Sequence, residues 1–235
     1  YRHEDRQTWL RQDLKLNVEK VVLASGDDKE GNEQEVLQVL TLRSPLPRLH
    51  RQFADTPNRI LALELGGNNA IVITAHADLD IAIRGALFGA VGTAGQRCTT
   101  TRRLIVHQDV YEEVRNRLVS AYGHLSIGNP LDPSHHVGPL IDKQAVKIYR
   151  EALRKISKEG GNFLVKGGVL QGKGFESGCY VKPAIAEVTP DISMVQQETF
   201  APILYLIKYS ALEEAIAIQN GVKQGLSSAI MTTNL

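Results

Sequence analysis

From Arg59 onward the chain alternates short β-branched runs with amphipathic stretches, and this alternation constrains its fold more than any other feature. Ile60 to Leu65 reads as a strand that breaks at Gly66-Gly67, and Ala70 to Thr74 reads as a second. Asp78 suits the N-cap of a helix over Leu79 to Val91, where Leu79, Ala82, Ile83, Ala86, Leu87 and Ala90 trace one apolar face. Gly92 to Gly95 end it. Thr101 to Val106 predicts a strand, and Asp109 predicts the cap of a helix running through Tyr122. Asp142 opens an amphipathic helix to about Lys158, closed by Gly160-Gly161. Phe163 to Val165 and Tyr180 to Lys182 read as strands on either side of a glycine-rich loop. Ile203 to Tyr209 then predicts a strand, Ala211 to Gln219 a helix, and Ser227 to Thr232 a last strand. Strands alternating with helices predict an α/β fold with a mainly parallel sheet and helices on both faces.

Residues 1–48 follow no such pattern and stay unassigned. Arg6 to Lys20 is charged, and Leu10, Leu14, Leu16 and Val18 give only an irregular apolar face. Val21 to Ala24 fits a short strand, Gly26 to Asn32 a turn or exposed loop, and Glu35 to Leu42 either helix or strand. Ser44-Pro-Leu-Pro breaks the chain and sets a domain boundary, leaving residues 49–235 as the second domain.

Composition narrows the partners. A net charge of +1 with no basic run argues against nucleic acid, and no apolar stretch is long enough to span a bilayer. No signal-peptide pattern opens the sequence, and two cysteines among 235 residues fit a reducing compartment better than a disulfide scaffold. A soluble protein of the cytoplasm, or of an organellar matrix, is the expectation. His135-His136 lies in a proline-flanked loop with no third ligand at metal spacing, so no metal site is expected.

Two stretches carry chemistry. In Leu61-Ala-Leu-Glu-Leu-Gly-Gly-Asn-Asn69, a carboxylate, Glu64, interrupts an apolar run just before a double glycine. Burial there would raise its pKa and suit it to general-base work. In Gly95-Gln-Arg-Cys-Thr-Thr-Thr-Arg-Arg103, Cys98 sits among small and polar residues, unlike the packed surroundings of an inert core cysteine. The separation, 98 − 64 = 34 residues, leaves room for a strand, a crossover helix and a return to the sheet. A nucleophile and a base brought to one crevice in this way would support covalent catalysis. Arg97 has two readings: it tunes the thiol, or it holds the far carboxylate of an acidic substrate. Arg102 and Arg103, at the start of a strand, read as structural or ion-paired residues, and Cys179 as structural.

Glu-Leu-Gly-Gly and Gly-Gln-Arg-Cys at this spacing resemble the two active-site signatures of the aldehyde dehydrogenase superfamily. The wording Leu-Gly-Gly-Asn-Asn-Ala and Gly-Thr-Ala-Gly-Gln-Arg-Cys-Thr-Thr-Thr-Arg-Arg-Leu is most similar to its antiquitin, or α-aminoadipic semialdehyde, branch. Leu49 to Ala54 and Asn58 to Glu64 are nearer to succinylglutamate semialdehyde dehydrogenase, and the resemblance runs over about residues 49–235. It implies Cys98 as nucleophile, Glu64 as the base that hydrolyses a thioester, and Arg97 as a substrate-carboxylate anchor. Leu65, Gly66 and Gly67 would let the nicotinamide ring approach the backbone. Glu198-Thr-Phe-Ala-Pro202 resembles the family's Glu-x-Phe-Gly-Pro motif, with Ala201 in place of glycine. Glu198 would then bind the ribose hydroxyls, and Phe200 would pack against that end of NAD or NADP.

The resemblance therefore implies oxidation of a small aldehyde, a semialdehyde with a distal carboxylate, by a protein that forms a homodimer or homotetramer when complete. The family's Phe-Thr-Gly-Ser and Lys-Pro-Ser cofactor segments and its Asn-Phe-Pro oxyanion motif are not in this sequence. The chain accordingly reads as a fragment, part of a longer parent, or a diverged remnant. Two alternatives stand beside the oxidoreductase: a cofactor-independent thiol esterase, and a non-catalytic structural or interaction protein.

Overall fold

The computed structural model describes residues 66–234 in full. Before them it describes the backbone of the strands Val18–Leu23 (β1), Gly26–Asp27 (β2), Glu33–Gln34 (β3), Gln38–Leu42 (β4) and Leu61–Glu64 (β5). The chain divides into two compact units, Tyr1–Gly66 and Gly67–Leu235. The boundary expected at Ser44 to Pro47 lies outside the described residues.

In the first unit β1 pairs antiparallel with β4, and β4 pairs parallel with β5, which places Thr41 opposite Glu64. Of the two readings for Glu35 to Leu42, strand holds for Gln38–Leu42. The expected turn at Gly26 begins instead as a short strand, Gly26 pairing with Gln34 and Asp27 with Glu33.

The second unit has the expected alternation. It runs Asn69–Ile73 (β6), Leu79–Val91 (α1), Thr101–His107 (β7), Gln108–Gly123 (α2), Lys143–Lys158 (α3) and Asn162–Val165 (β8). Gly168–Val169 (β9), Val181–Lys182 (β10), Ala184–Glu187 (β11), Ile203–Tyr209 (β12), Leu212–Asn220 (α4) and Ser228–Met231 (β13) follow. Six strands form one sheet in the order β13-β6-β7-β12-β11-β8. All neighbours are parallel except β8, which runs antiparallel to β11. Successive residues of β6, β7 and β12 are buried, and since strand side chains alternate, both faces of the sheet are covered.

Capping explains where the helices begin. The Asp78 carboxylate accepts the N–H groups of Asp80 and Ile81 ahead of α1, and Asp142 accepts that of Ala145 ahead of α3. For α2 the expected cap, Asp109, is corrected. Strand β7 runs one residue further than its apolar pattern, the helix begins at Gln108, and the His107 ring accepts the Asp109 N–H. Helix α3 holds the β9–β10 hairpin through Tyr149, whose buried hydroxyl donates to Lys182 O at 2.5 Å and accepts from Gly168 N at 3.0 Å.

Candidate active site

Parallel register builds the site. Asn69 of β6 stands opposite Thr101 of β7, and Arg103 of β7 opposite Tyr205 of β12. The segments leading into these strands, Gly67-Asn68, Cys98 to Thr100 and Glu198 to Pro202, therefore meet at the amino ends of three adjacent strands.

Cys98 is an exposed free thiol in a tight turn. The Thr100 N–H donates to Arg97 O, and the Arg97 N–H donates back to Thr100 Oγ1, both at 3.1 Å. The approach to the turn is strained. Thr93 (φ 53°) and Ala94 (φ 54°) are left-handed without being glycine, and Gly95 (φ 71°) follows them. Non-glycine residues in this region cost about 1–2 kcal/mol each, and such strain gathers where function requires one backbone path.

Two buried side chains hold the peptides flanking Cys98. Asn69, 4% exposed, donates from Nδ2 to Cys98 O at 2.8 Å and to Thr100 O at 2.9 Å. Arg102, 1% exposed, donates to Arg97 O at 3.3 Å, Gly67 O at 3.2 Å, Gly95 O at 3.4 Å and Thr199 O at 2.5 Å. Its fifth partner is a carboxylate oxygen of Glu198 at 3.2 Å. Burial lowers the Arg102 pKa from its ordinary value, while Glu198, Tyr205 and Cys98 pull the other way. Arg103, also buried, donates to the carbonyls of Asn68, Ile218 and Gln219, the last two closing α4. Burial brings its pKa down to about 10.

Glu198 joins the same network. The oxygen that meets Arg102 also accepts the Gly67 N–H at 3.0 Å, yet 22% of the side chain stays exposed. A carboxylate with one oxygen fixed and part of its surface open can accept hydrogen bonds from the vicinal hydroxyls of a ribose. Phe200 is 44% exposed, with its ring 5.1 Å from the Arg102 guanidinium carbon. Gly67 has no room for a side chain, because a Cβ there would overlap the carbonyl oxygen of Cys98. The open carboxylate oxygen of Glu198 beside an exposed aromatic ring is compatible with the ribose contact expected of a dinucleotide.

Arg97 points elsewhere in this arrangement. Its guanidinium donates to Phe88 O at 3.1 Å and lies 4.8 Å above the Phe88 ring. Gly66, in the double glycine, has a left-handed backbone (φ 70°), which glycine adopts without strain. Glu64 is described as backbone at the end of β5; its side chain and Leu65 lie outside the described residues. Cys179 is half-buried, its thiol 3.6 Å from Ser177 O. Among the described residues, no group of three His, Cys, Asp or Glu side chains could hold a metal ion.

The family model of the aldehyde dehydrogenase family matches residues 47–235. The chain belongs to the aldehyde dehydrogenase family. It is 48% identical over 174 residues to the α-aminoadipic semialdehyde dehydrogenase of Rattus norvegicus, covering 74% of this chain and 32% of the relative. It is 45% identical over 172 residues to aldehyde dehydrogenase family 7 member B4 of Arabidopsis thaliana, covering 73% and 33%. Among solved structures, a 3,6-anhydro-L-galactose dehydrogenase in complex with NAP superposes with a TM-score of 0.72 at 31% identity. The match covers 75% of this chain and 37% of that one. An aldehyde dehydrogenase from Bacillus cereus gives 0.71 at 30% identity, over 80% and 37%. The α/β fold read from the sequence and the family resemblance both hold. The chain spans about a third of the length of the curated relatives it matches.

Asn69 was not legible as a site residue, and Arg102 only as a structural or ion-paired one. Their signal is faint but physical. Asn68-Asn69 and Arg102-Arg103 are polar pairs at the entry to runs that are otherwise apolar and buried, where unpaired polar groups are costly.

Proposed function

We propose that this chain carries the catalytic half of an aldehyde dehydrogenase acting on a semialdehyde with a distal carboxylate. The observation that carries the reading is the exposed Cys98 thiol, set in a turn that Arg102 ties to Glu198 at the amino ends of β6, β7 and β12. Cys98 gives its thiol proton to solvent water, and the thiolate Sγ adds to the aldehyde carbonyl, a C–S bond forming as the carbonyl π pair moves to oxygen. The Cys98 peptide N–H donates to that oxyanion. Glu198, Phe200, Leu65, Gly66 and Gly67 would hold the nicotinamide end of NAD or NADP, which when bound supplies the hydride acceptor for conversion of the adduct to a thioester. Glu64 takes a proton from water, the resulting hydroxide attacks the thioester carbonyl, and the acid leaves as the C–S bond breaks. Arg97 would recognise the far carboxylate; this assignment rests on the motif wording and on the similarity to α-aminoadipic semialdehyde dehydrogenases. Two free thiols fit a reducing compartment, the cytoplasm or an organellar matrix, and the complete protein would be a homodimer or homotetramer.

The test is NAD(P) reduction on addition of α-aminoadipic semialdehyde, with Cys98→Ala as the control. Turnover that vanishes in the variant supports the proposal. Absent turnover together with an unreactive Cys98 thiol would sink it. A second reading, cofactor-independent ester hydrolysis through Cys98, is favoured by one fact: the turn, Asn69 and Arg102 all lie within a short span of this chain.

A further inference from the structure

We infer that Asn69 is a positioning residue for the nucleophile: its carboxamide sets the turn in which Cys98 and its oxyanion-binding N–H act. The inference rests on Cys98 being the nucleophile and assigns a role to a neighbour that has none so far.

Three observations carry it. Asn69 Nδ2 divides its two protons between Cys98 O at 2.8 Å and Thr100 O at 2.9 Å, bracketing the turn. Asn69 is buried, and its Oδ1 has no hydrogen-bond partner among the described residues. A buried acceptor left unpaired costs about 1–3 kcal/mol. A serine or threonine would avoid that cost, but a hydroxyl has one proton and cannot serve two carbonyls. What the carboxamide provides is its second N–H. Finally, the peptide preceding Cys98 is fixed separately, by Arg102 to Arg97 O at 3.3 Å. With Arg102 holding one flanking peptide and Asn69 the other, the direction of the Cys98 N–H and the place of its Cα are set from both sides.

The position matters because the reacting atoms tolerate little error: a displacement of about 1 Å costs on the order of a hundredfold in rate. Asn69→Ala should therefore impair steps that need both thiol and oxyanion donor, and spare steps that need the thiol alone. Asn68 supplies a matched control. It is equally buried and its Oδ1 is also unpaired among the described residues, but its Nδ2 donates to Val195 O at 2.8 Å, away from the turn.

The experiment compares two reactions of the unaltered chain, Asn69→Ala and Asn68→Ala. The first is acylation by p-nitrophenyl acetate: the Cys98 S–acyl bond forms, the ester C–O bond breaks, nitrophenolate leaves with the electron pair and the thiol proton goes to solvent. The second is alkylation by iodoacetamide, which needs no oxyanion site, with Cys179 as an internal reference. Asn69→Ala is expected to slow acylation tenfold or more while Cys98 alkylation, relative to Cys179, changes less than threefold. Asn68→Ala is expected to leave the ratio of the two reactions unchanged. Parallel loss of both reactions in Asn69→Ala, or an equal change of the ratio in Asn68→Ala, would show a merely structural role and overturn the inference. Acylation unaffected by Asn69→Ala would overturn it too. No acylation in the unaltered chain, with alkylation intact, would instead remove the nucleophile reading and this inference with it.

Discussion

The carboxylate of Glu198 lies 3.2 Å from the guanidinium of Arg102; the arginine is buried and the glutamate remains 22% exposed. The pair couples a proposed cofactor ligand to the backbone around the nucleophile, since the same guanidinium holds Arg97 O and Gly67 O. Arg102→Met removes five hydrogen bonds, although Arg97 O keeps the Thr100 N–H, Thr199 O that of Ala201 and the Glu198 oxygen that of Gly67. Breaking a buried pair costs about 3–5 kcal/mol, and the partial exposure of the glutamate places this one at about 3 kcal/mol. A urea midpoint unchanged from the parent would contradict that estimate.

Glu198→Gln keeps the shape and an acceptor for the Gly67 N–H but loses the charge. If Glu198 binds ribose hydroxyls, KM for NAD(P) rises about tenfold, the equivalent of about 1.4 kcal/mol, while KM for the aldehyde stays constant. Steady-state kinetics with each substrate varied in turn would decide it. An effect confined to the aldehyde would count against the assignment.

Gly67→Ala places a methyl group where the Cys98 carbonyl oxygen already lies. The backbone of the turn must move, so ester acylation should fall at least tenfold while far-ultraviolet circular dichroism is unchanged. Retained acylation would mean that the turn can yield without cost.

Arg97 separates two readings of substrate choice. Removing its contact with the Phe88 ring in Arg97→Ala should lower stability by about 0.5–1 kcal/mol. If Arg97 also recruits a carboxylate, KM for a carboxylate-bearing semialdehyde rises while KM for an uncharged aldehyde of similar length does not. Equal changes for both would favour the thiol-tuning reading.

Glu187 governs part of the acid limb. Burial pushes its pKa up, but hydrogen bonds from Tyr111, at 2.7 Å, and from Asn162, with the charge of Arg115, outweigh it and leave the group below its ordinary 4.5. A carboxylate depressed in the folded state contributes stability above its unfolded pKa and loses it as pH falls through the folded value. Melting curves should accordingly show a shallower loss between pH 5 and pH 3 in Glu187→Gln than in the parent, and identical slopes would refute the linkage.

The parts legible in the sequence are those where one physical signal dominated. Ile203 to Tyr209 matches β12 to the residue, and Asp78 and Asp142 cap the helices expected of them. Strand β11 was missed because Pro183 reads as a break and Ala184-Ile-Ala is too short for any period; only its place between β8 and β12 makes it a strand. The His107 cap was hidden for a similar reason, since how far β7 extends is decided by pairing with β12 up to Tyr209. At the site, Cys98 stood out by its small and polar neighbours, and its thiol is exposed. Asn69 and Arg102 did not, because their roles are set by strand register, which local patterns do not encode.

Arg102 and Arg103 are adjacent in β7, so their side chains leave opposite faces of the sheet, one toward the nucleophile turn and the other toward the last carbonyls of α4. A slip of β7 by one residue would exchange them. Each guanidinium would then be buried on the wrong side, away from every acceptor that now receives it. An error in pairing would cost two stranded charges at once, several kcal/mol apiece. The alignment that satisfies both arginines is the one in which Arg102 ties the Cys98 turn to Glu198.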